Sequence, residues 1–316
     1  MENKKIITVF GATGAQGGGL VRAILSDKNS EFTARAVTRD KNSDKAKALA
    51  DLGAEVVSAD IDDAESIKKA LEGAYGAFFV TFFWDHFSAE KEYQQVTDFV
   101  NAAKDSDLKH IIWSTLEDTR ILVPLEDDRM PTLQGKYKVP HFDGKGAADK
   151  LFTEAGLPVT FLRTSFYWDN LIYFGMGPKK GEDGNYYIAF PMDDKKLPGM
   201  AAEDIGRCAY GIFKKDGEVT GKTIGVTGEK LSGAEMAEKL SKSLGINVIF
   251  NNVTPEQFRN FGFPGADDLG NMFQFKRDFN EEFNGIRDEV YSKELNPDLM
   301  DFDKWLSEYG SKIPLE

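Results

Sequence analysis

The chain has 316 residues and a mass of 35.2 kDa, which suits one large domain with a smaller partner. Hydrophobic residues make up 41% and charged residues 29%, which is typical of globular proteins and excludes extensive disorder. The net charge of −13 repels nucleic-acid phosphates, so we expect no direct nucleic-acid binding. Apolar runs fall short of the roughly 18 residues of a membrane span. One cysteine and no secretion signal predict a cytoplasmic protein without disulfides.

Short apolar runs alternate with amphipathic stretches through the first half of the chain. The runs predict strands at Ile6–Phe10, Phe32–Thr38, Glu55–Ser58, Ala77–Thr81, His110–Ser114 and Val159–Arg163. The amphipathic stretches predict helices at Leu20–Leu25, Asp44–Leu52, Ala64–Leu71, Ala89–Asp105 and Gly146–Ala155. Asp62 is the predicted N-cap of the third helix. Such alternation predicts an α/β fold with a Rossmann-type, doubly wound parallel sheet.

The regular alternation ends after the sixth predicted strand. The run Asn185–Phe190 predicts a hairpin, Glu203–Phe213 a helix and Thr223–Thr227 a strand. Ser232 with Glu235, and Thr254 with Gln257, form capping boxes that begin two more helices. We therefore predict a smaller C-terminal α/β lobe.

The predicted nucleotide-binding domain spans 1–163, and residues 200–228 return to it. Residues 164–199 and 229–316 form the predicted lobe, with a cleft between lobe and domain. The segment Leu116–Pro140 has little periodicity and predicts a long loop that is functional or mobile.

A glycine-rich turn follows the first predicted strand directly. Its sequence, Gly11-Ala-Thr-Gly14-Ala-Gln-Gly17, lies between a strand and a helix, as a dinucleotide-binding fingerprint requires. Gly11 allows the sharp turn, Gly14 lets the backbone approach a pyrophosphate, and Gly17 allows close packing of helix on strand. The turn predicts nucleotide binding at the start of the helix. A tight turn without a ligand is the alternative interpretation.

The end of the second predicted strand indicates which dinucleotide is bound. NAD sites place an acidic residue here, whereas this chain has Arg39, whose guanidinium matches a 2′-phosphate. The sequence therefore favours NADP(H), with NAD(H) as a weaker alternative. Asp40 opposes this preference, and a surface arginine without a ligand is the alternative for Arg39. Asp60 is predicted beside the adenine, and Thr81–Phe83 beside the nicotinamide ribose.

These motifs resemble those of the NmrA-like family, an atypical branch of the short-chain dehydrogenases/reductases. The matching segments are Val9–Gly18, Val37–Arg39, Gly53–Asp63, Val80–Asp85, His141–Gly146, Tyr167–Leu171 and Leu244–Met272. The resemblance implies a Rossmann domain, a small C-terminal lobe and a cleft that holds NADP(H). It implies cofactor contacts at Gly11, Thr13, Gly14, Ala15, Gln16, Arg39, Asp60, Thr81, Phe82, Phe83, Lys145, Tyr167, Trp168, Asp169 and Asn170. Phe82 and Phe83 depart from an Asn-Tyr pair of close relatives, and Ile61 replaces a polar residue.

The candidate catalytic residues lie in the segment His141-Phe-Asp-Gly-Lys145. Short-chain reductases use a tyrosine as general acid with a lysine four residues later, and here histidine replaces the tyrosine. An imidazolium donates a proton near neutral pH, so His141 and Lys145 form the candidate pair. Alternatively, His141 is a locally bonded helix-start residue and Lys145 only contacts a ribose. Ser114, Tyr137 and Tyr167 are weaker candidates.

Three functions are compatible with these residues. The first is an NADP(H) sensor or regulator that acts through a protein partner, because the cofactor motif is intact while the reductase tyrosine is missing. The second is an NADPH-dependent oxidoreductase for a small aromatic or unsaturated carbonyl compound. The third is a scaffold stabilised by its dinucleotide. We expect no metal site, and a monomer or homodimer.

Overall fold

The computed structural model describes residues 4–315. In chain order, the first half contains Lys5–Val9 (β1), Ala15–Ser26 (α1), Phe32–Thr38 (β2), Asp44–Asp51 (α2), Glu55–Ser58 (β3), Ala64–Leu71 (α3), Gly76–Phe79 (β4), Ala89–Lys104 (α4), His110–Thr115 (β5), Pro140–Glu154 (α5) and Val159–Arg163 (β6). The predicted alternation is confirmed, although α1 and α5 begin more than a turn earlier than predicted. Within 4–315 no helix has the length and apolar character needed to cross a membrane.

The second half is more varied. It contains Phe166–Tyr167 (β7), Asn170–Tyr173 (α6), Lys179–Lys180 (β8), Tyr186–Ala189 (β9), Leu197–Met200 (β10), Ala202–Lys214 (α7), Thr223–Gly225 (β11), Glu229–Leu231 (β12), Gly233–Leu244 (α8), Val248–Asn251 (β13), Pro255–Arg259 (α9), Ala266–Asp278 (α10), Asn280–Gly285 (α11), Glu289–Leu295 (α12) and Phe302–Tyr309 (α13). Both predicted capping boxes are present, at the starts of α8 and α9.

One predicted cap differs from the structure. The N-cap of α3 is Asp63, whose carboxylate accepts from the amides of Glu65 and Ser66, and not Asp62. Asp62 instead accepts from side chains of α4. The run predicted to form a hairpin supplies β9, which pairs antiparallel with the preceding β8 and also parallel with β13.

A seven-stranded sheet organises the larger part of the molecule. Its order is β11-β6-β5-β4-β1-β2-β3, and every neighbouring pair is parallel. Every residue of β4 and β5 is buried, because α1 and α7 cover one face while α3, α4 and α5 cover the other. The direction of strand connection reverses at β1, and ligands of such sheets bind beside this position at the carboxyl edge.

A second core fills the C-terminal lobe. It surrounds two three-stranded sheets, β12-β10-β7 and β13-β9-β8, and includes Trp168, Phe273 and Trp305. The strand β11 and the helix α7 pack within the larger unit. The division into independently folding domains at the predicted boundaries stays a prediction.

The long segment before α5 is tied to α10 by amide side chains. Asn271 Nδ2 donates to the carbonyl oxygens of Pro131 and Lys138 at 2.9 and 2.6 Å. Gln274 Nε2 donates to the carbonyl oxygen of Arg129 at 2.7 Å. The lobe therefore fixes the path of this segment where it leads into α5.

Close packing of α1 on α7 makes a first prediction. A Cβ at Gly206 would lie 2.2 Å from Leu20 N and 2.3 Å from Gln16 O, so Gly206→Ala must push the two helices apart. We expect the free energy of unfolding, measured in urea, to fall by about 1–3 kcal/mol. Gly217→Ala is the control, because no atom lies within 4 Å of its added Cβ. Equal stability of the two variants would contradict this packing argument.

Candidate functional site

The glycine positions in the turn between β1 and α1 have little room for a side chain. Gly11 has φ of +65°, and a Cβ at Gly17 would lie 2.5 Å from the carbonyl oxygen of Gly11. A Cβ at Gly14 would lie 3.2 Å from the same oxygen. The glycines therefore bring the start of α1 against the carboxyl end of β1.

The start of α1 has no side-chain cap, in contrast to α2, α3 and α4. Side chains of Ser43, Asp63 and Ser88 cap α2, α3 and α4, whereas the N-cap of α1 is Gly14 and makes no side-chain hydrogen bond. The first N–H groups of a helix have no intrahelical acceptor, so those of α1 are available to an anion. The glycine cradle and the uncapped helix fit a pyrophosphate.

Arg39 and Asp60 lie beyond the ends of β2 and β3, on the other side of this turn. The Arg39 guanidinium is 76% exposed and lies 3.5 Å from the carboxylate of Asp85. This exposed pair contributes little to stability, so the guanidinium is free to meet a phosphate. Asp60 is exposed, and its carboxylate accepts from the nearby amide of Asp62 at 3.0 Å.

Gln16 joins three elements at the carboxyl edge of the sheet. Its Nε2 donates to the hydroxyl of Tyr167 at 2.7 Å, and its Oε1 accepts from Ser114 Oγ at 2.7 Å. Burial raises the pKa of Tyr167 to about 12, so this phenol stays protonated at neutral pH. The structure thus brings together three residues that the sequence placed far apart.

The residues predicted to contact the cofactor just after β7 have side chains in different surroundings. The side chain of Trp168 is fully buried in the lobe core, against Phe302 and Trp305. The Asp169 carboxylate accepts from Ala202 N at 2.9 Å, and burial raises the pKa of this carboxyl group. Asn170 is the first residue of α6. The Trp168 side chain is therefore part of the lobe core. Cofactor contacts of residues 167–170 stay a prediction.

Lys145 lies in a buried cluster of charged and polar groups. Its Nζ is 2.9 Å from Glu92 Oε1 and donates to both oxygens of Thr81, the carbonyl oxygen at 3.1 Å. Thr81 Oγ1 in turn donates to Glu92 Oε1 at 2.7 Å. Glu92 is wholly buried on α4, so it neutralises Lys145 beside the carboxyl end of β4. Sequence reasoning missed Glu92, because a glutamate on an amphipathic helix gives no sign of facing inward.

His141 forms a buried dyad with Asp268 of α10. The His141 Nδ1 bonds Asp268 Oδ1, and the His141 backbone amide donates to Asp268 Oδ2 at 3.0 Å. The two side chains are only 9% and 6% exposed. Because Asp268 holds Nδ1, the Nε2 atom is the one left to exchange a proton. The alternative prediction for His141 was a hydrogen bond to a residue close in sequence at the helix start. In the structure, its imidazole instead bonds a residue 127 positions away.

Aromatic side chains surround this dyad. The rings of Trp84 and Phe83 lie 5.0 and 5.9 Å from that of His141. Phe82, beside them, is 50% exposed. Phe261 and Phe263, in the segment before α10, also stay exposed. The imidazole of His141 therefore lies among aromatic rings.

Comparison with known proteins identifies the family. The sequence profile described as the NmrA-like family matches residues 3–306. The chain belongs to the NmrA-like family. The NmrA-like family domain-containing oxidoreductase malD of Malbranchea aurantiaca is 30% identical over 252 residues, covering 77% of this chain and 74% of that protein. The corresponding oxidoreductase FrzB of Cladobotryum sp. is 28% identical, covering 85% and 83%.

Solved structures share this NmrA-like fold. NmrA, a negative transcriptional regulator, in complex with NADP superposes with a TM-score of 0.76 and 22% identity, covering 97% of this chain and 95% of that one. Triphenylmethane reductase of Citrobacter sp. complexed with NADP(H) superposes with a TM-score of 0.72 and 21% identity, covering 96% and 99%. At these identities the likeness establishes the Rossmann-type architecture.

The buried pair of Lys145 and Glu92 makes a second prediction. Lys145→Met leaves the Glu92 carboxylate buried without a cation, so we expect the free energy of unfolding to fall by about 3–5 kcal/mol. The double variant Lys145→Met/Glu92→Gln removes that charge and keeps an acceptor for Thr81. We expect it to recover most of the loss in urea unfolding. A double variant as unstable as the single one would show that charge compensation is not what Lys145 supplies.

Proposed function

We propose that this NmrA-like protein is an NADP(H)-dependent oxidoreductase that reduces a small aromatic or unsaturated carbonyl compound. The observation that carries the proposal is the His141–Asp268 dyad, one helical turn from Lys145 at the edge of the dinucleotide crevice. A histidine held by a buried carboxylate is suited to giving a proton to a substrate. The oxidoreductase names of the relatives with 28–30% identity support the same reaction class.

The chain's own groups fit a dinucleotide. The start of α1 meets the pyrophosphate, Arg39 meets a 2′-phosphate, and Asp60 lies towards the adenine side. Thr81 follows β4 closely and Lys145 of α5 bonds its carbonyl oxygen, which supports assigning both residues to the nicotinamide half in this proposal. When bound, the cofactor supplies hydride. The proposed preference of the protein for NADP(H) over NAD(H) rests on Arg39 alone.

His141 supplies the balancing proton in this proposal. His141 would give its Nε2 proton to the carbonyl oxygen, or to the α-carbon of an enone, to balance the hydride that a bound cofactor would supply to the carbonyl carbon or to the β-carbon. Asp268 is a positioning residue, because it holds Nδ1 and leaves Nε2 towards the substrate. The aromatic rings of Phe82 and Trp84, together with the exposed Phe261 and Phe263, favour a planar, apolar substrate in this proposal.

A second candidate function is an NADP(H) sensor that acts through a protein partner. One observation favours it: Glu92 neutralises Lys145, so this lysine lends little positive charge to a proton donor at position 141. A sensor requires that NADPH and NADP⁺ stabilise different arrangements of the chain. Tight NADPH binding with no turnover on any carbonyl, and oxidation-state-dependent proteolysis between 116 and 140, would favour the sensor over the reductase.

Cofactor preference makes a third prediction. Arg39→Glu is expected to weaken NADP⁺ binding by roughly ten- to a hundredfold, because a charged contact to phosphate contributes about 1.5–3 kcal/mol. NAD⁺ affinity should change much less. Calorimetric titration of both cofactors measures the difference, and Lys41→Glu, an exposed neighbour, is the matched charge control. A parallel loss of both cofactors would rule out a 2′-phosphate contact.

The dyad makes a fourth prediction, tested by NADPH oxidation with a panel of aromatic aldehydes and enones. His141→Gln should lower kcat by about 10²–10⁴-fold, the usual contribution of a general acid. Asp268→Asn should also lower kcat while KM for NADPH stays unchanged. Asp267→Asn, the exposed neighbour, is the control. Turnover that survives in His141→Gln would remove the proposed proton donor.

A further inference from the structure

The Arg39 guanidinium already has a carboxylate partner. Its Nη2 lies 3.5 Å from Asp85 Oδ2, and within residues 4–315 no other carboxylate pairs with it. The side chains of Arg39 and Asp85 are 76% and 50% exposed, so a ligand in solution reaches both. An anion that binds Arg39 therefore meets a group that carries the same sign of charge.

The two partners come from strands on opposite sides of β1. Arg39 directly follows β2, and Asp85 ends a short 3₁₀-helix, Phe83–Asp85, that comes after β4. In the sheet, β1 lies between β2 and β4. Because parallel strands all end at one edge, the ion pair joins the two loops that flank the glycine turn after β1. The pair thus lies beside the crevice that the article assigns to the dinucleotide.

The backbone that carries Asp85 is held in place. The carbonyl oxygen of Phe83 accepts from the amide of Phe87 at 2.7 Å, and the Phe83 side chain is only 3% exposed. The Trp84 ring packs against the lobe at Gly265, where an added Cβ would lie 2.7 Å from the ring. Contacts to the lobe and within the loop therefore present the Asp85 carboxylate to its partner, and the carboxylate is not carried on a free loop.

We propose that Asp85 is a specificity-determining residue that competes with the 2′-phosphate of NADP(H) for Arg39. A guanidinium has donors for two anions, but a phosphate and a carboxylate on the same guanidinium lie close together and repel each other. A 2′-phosphate therefore weakens or breaks the pair, whereas NAD(H) has no group that requires this. Asp85 thus reduces the preference for NADP(H) that Arg39 provides. This inference rests on the contact between Arg39 and the 2′-phosphate in the proposed function.

The direct test removes the competing charge and measures two probes by calorimetric titration. Adenosine 2′,5′-bisphosphate and 5′-AMP differ only in the 2′-phosphate, so the ratio of their affinities reports on this contact alone. Asp85→Asn should bind the bisphosphate about two- to fivefold more tightly than the unaltered protein, which is the range of an exposed ion pair, with no gain for AMP.

Two further variants control for charge and for position. Asp85→Glu keeps the carboxylate, so its affinity ratio should stay near that of the unaltered protein. Asp40→Asn removes an exposed carboxylate next to Arg39 in sequence that makes no ion pair with it within the described residues. An Asp85→Asn ratio that stays the same or falls, or an equal gain in Asp40→Asn, would overturn the proposal.

A double-mutant cycle shows whether Asp85 acts through Arg39. In an Arg39→Met background the pair is absent, so Asp85→Asn should no longer change the affinity ratio of the two probes. A gain as large as in the unaltered background would mean that Asp85 repels the phosphate without Arg39, and competition would be overturned. If Arg39→Met itself leaves the ratio unchanged, the proposed 2′-phosphate contact fails together with this inference. If Arg39→Met lowers the ratio while Asp85→Asn does not alter it, only this inference fails.

Discussion

The close approach of Gly17 to the carbonyl oxygen of Gly11 fixes how the first helix leaves the sheet, because a Cβ at Gly17 would lie 2.5 Å from that oxygen. It places the start of α1 directly against the end of β1, at a distance that excludes any side chain. The first amides of α1 then face the carboxyl edge of the sheet, where no side chain caps them. Because the first amides of a helix lack intrahelical acceptors, this edge has donors that suit a negatively charged group. Arg39, Gln16 and Lys145 are arranged along the same edge.

Helix α10 connects the smaller lobe to this edge. Along a single helix, Asp268 holds His141, Asn271 and Gln274 hold the segment before α5, and Lys276 packs on Phe142. All these contacts reach α5 or the segment that leads into it. The lobe therefore sets the position of the candidate proton donor, although the sheet carries the candidate dinucleotide site.

Two buried charged clusters beside the crevice differ in balance. Lys145 and Glu92 form a compensated pair that fixes α5 to α4. Around Glu117, the guanidinium groups of Arg287 and Arg163 face one carboxylate, and Arg163 Nε has no acceptor in the described chain. Because burying unpaired charge costs stability, the balanced pair of Lys145 and Glu92 suits a supporting role.

Local patterns were sufficient for the sheet and for the glycine turn. Apolar runs of strand length, the spacing of Gly11, Gly14 and Gly17, and the capping boxes at Ser232 and Thr254 depend on neighbours within a few residues. The prediction of the residue that caps α3 was wrong by one position, because Asp62 and Asp63 have the same side chain and only the geometry of the helix start decides between them.

The partners of His141 and Lys145 could not be found in this way. Asp268 lies 127 residues from His141, and the other contacts likewise join separate helices or loops. Periodicity reports which face of an element is apolar, and it carries no information on which distant polar group meets that face. Packing of α10 and α4 against α5 decides those pairings, because a buried charge or imidazole must find its partner among whatever the fold brings within hydrogen-bonding distance.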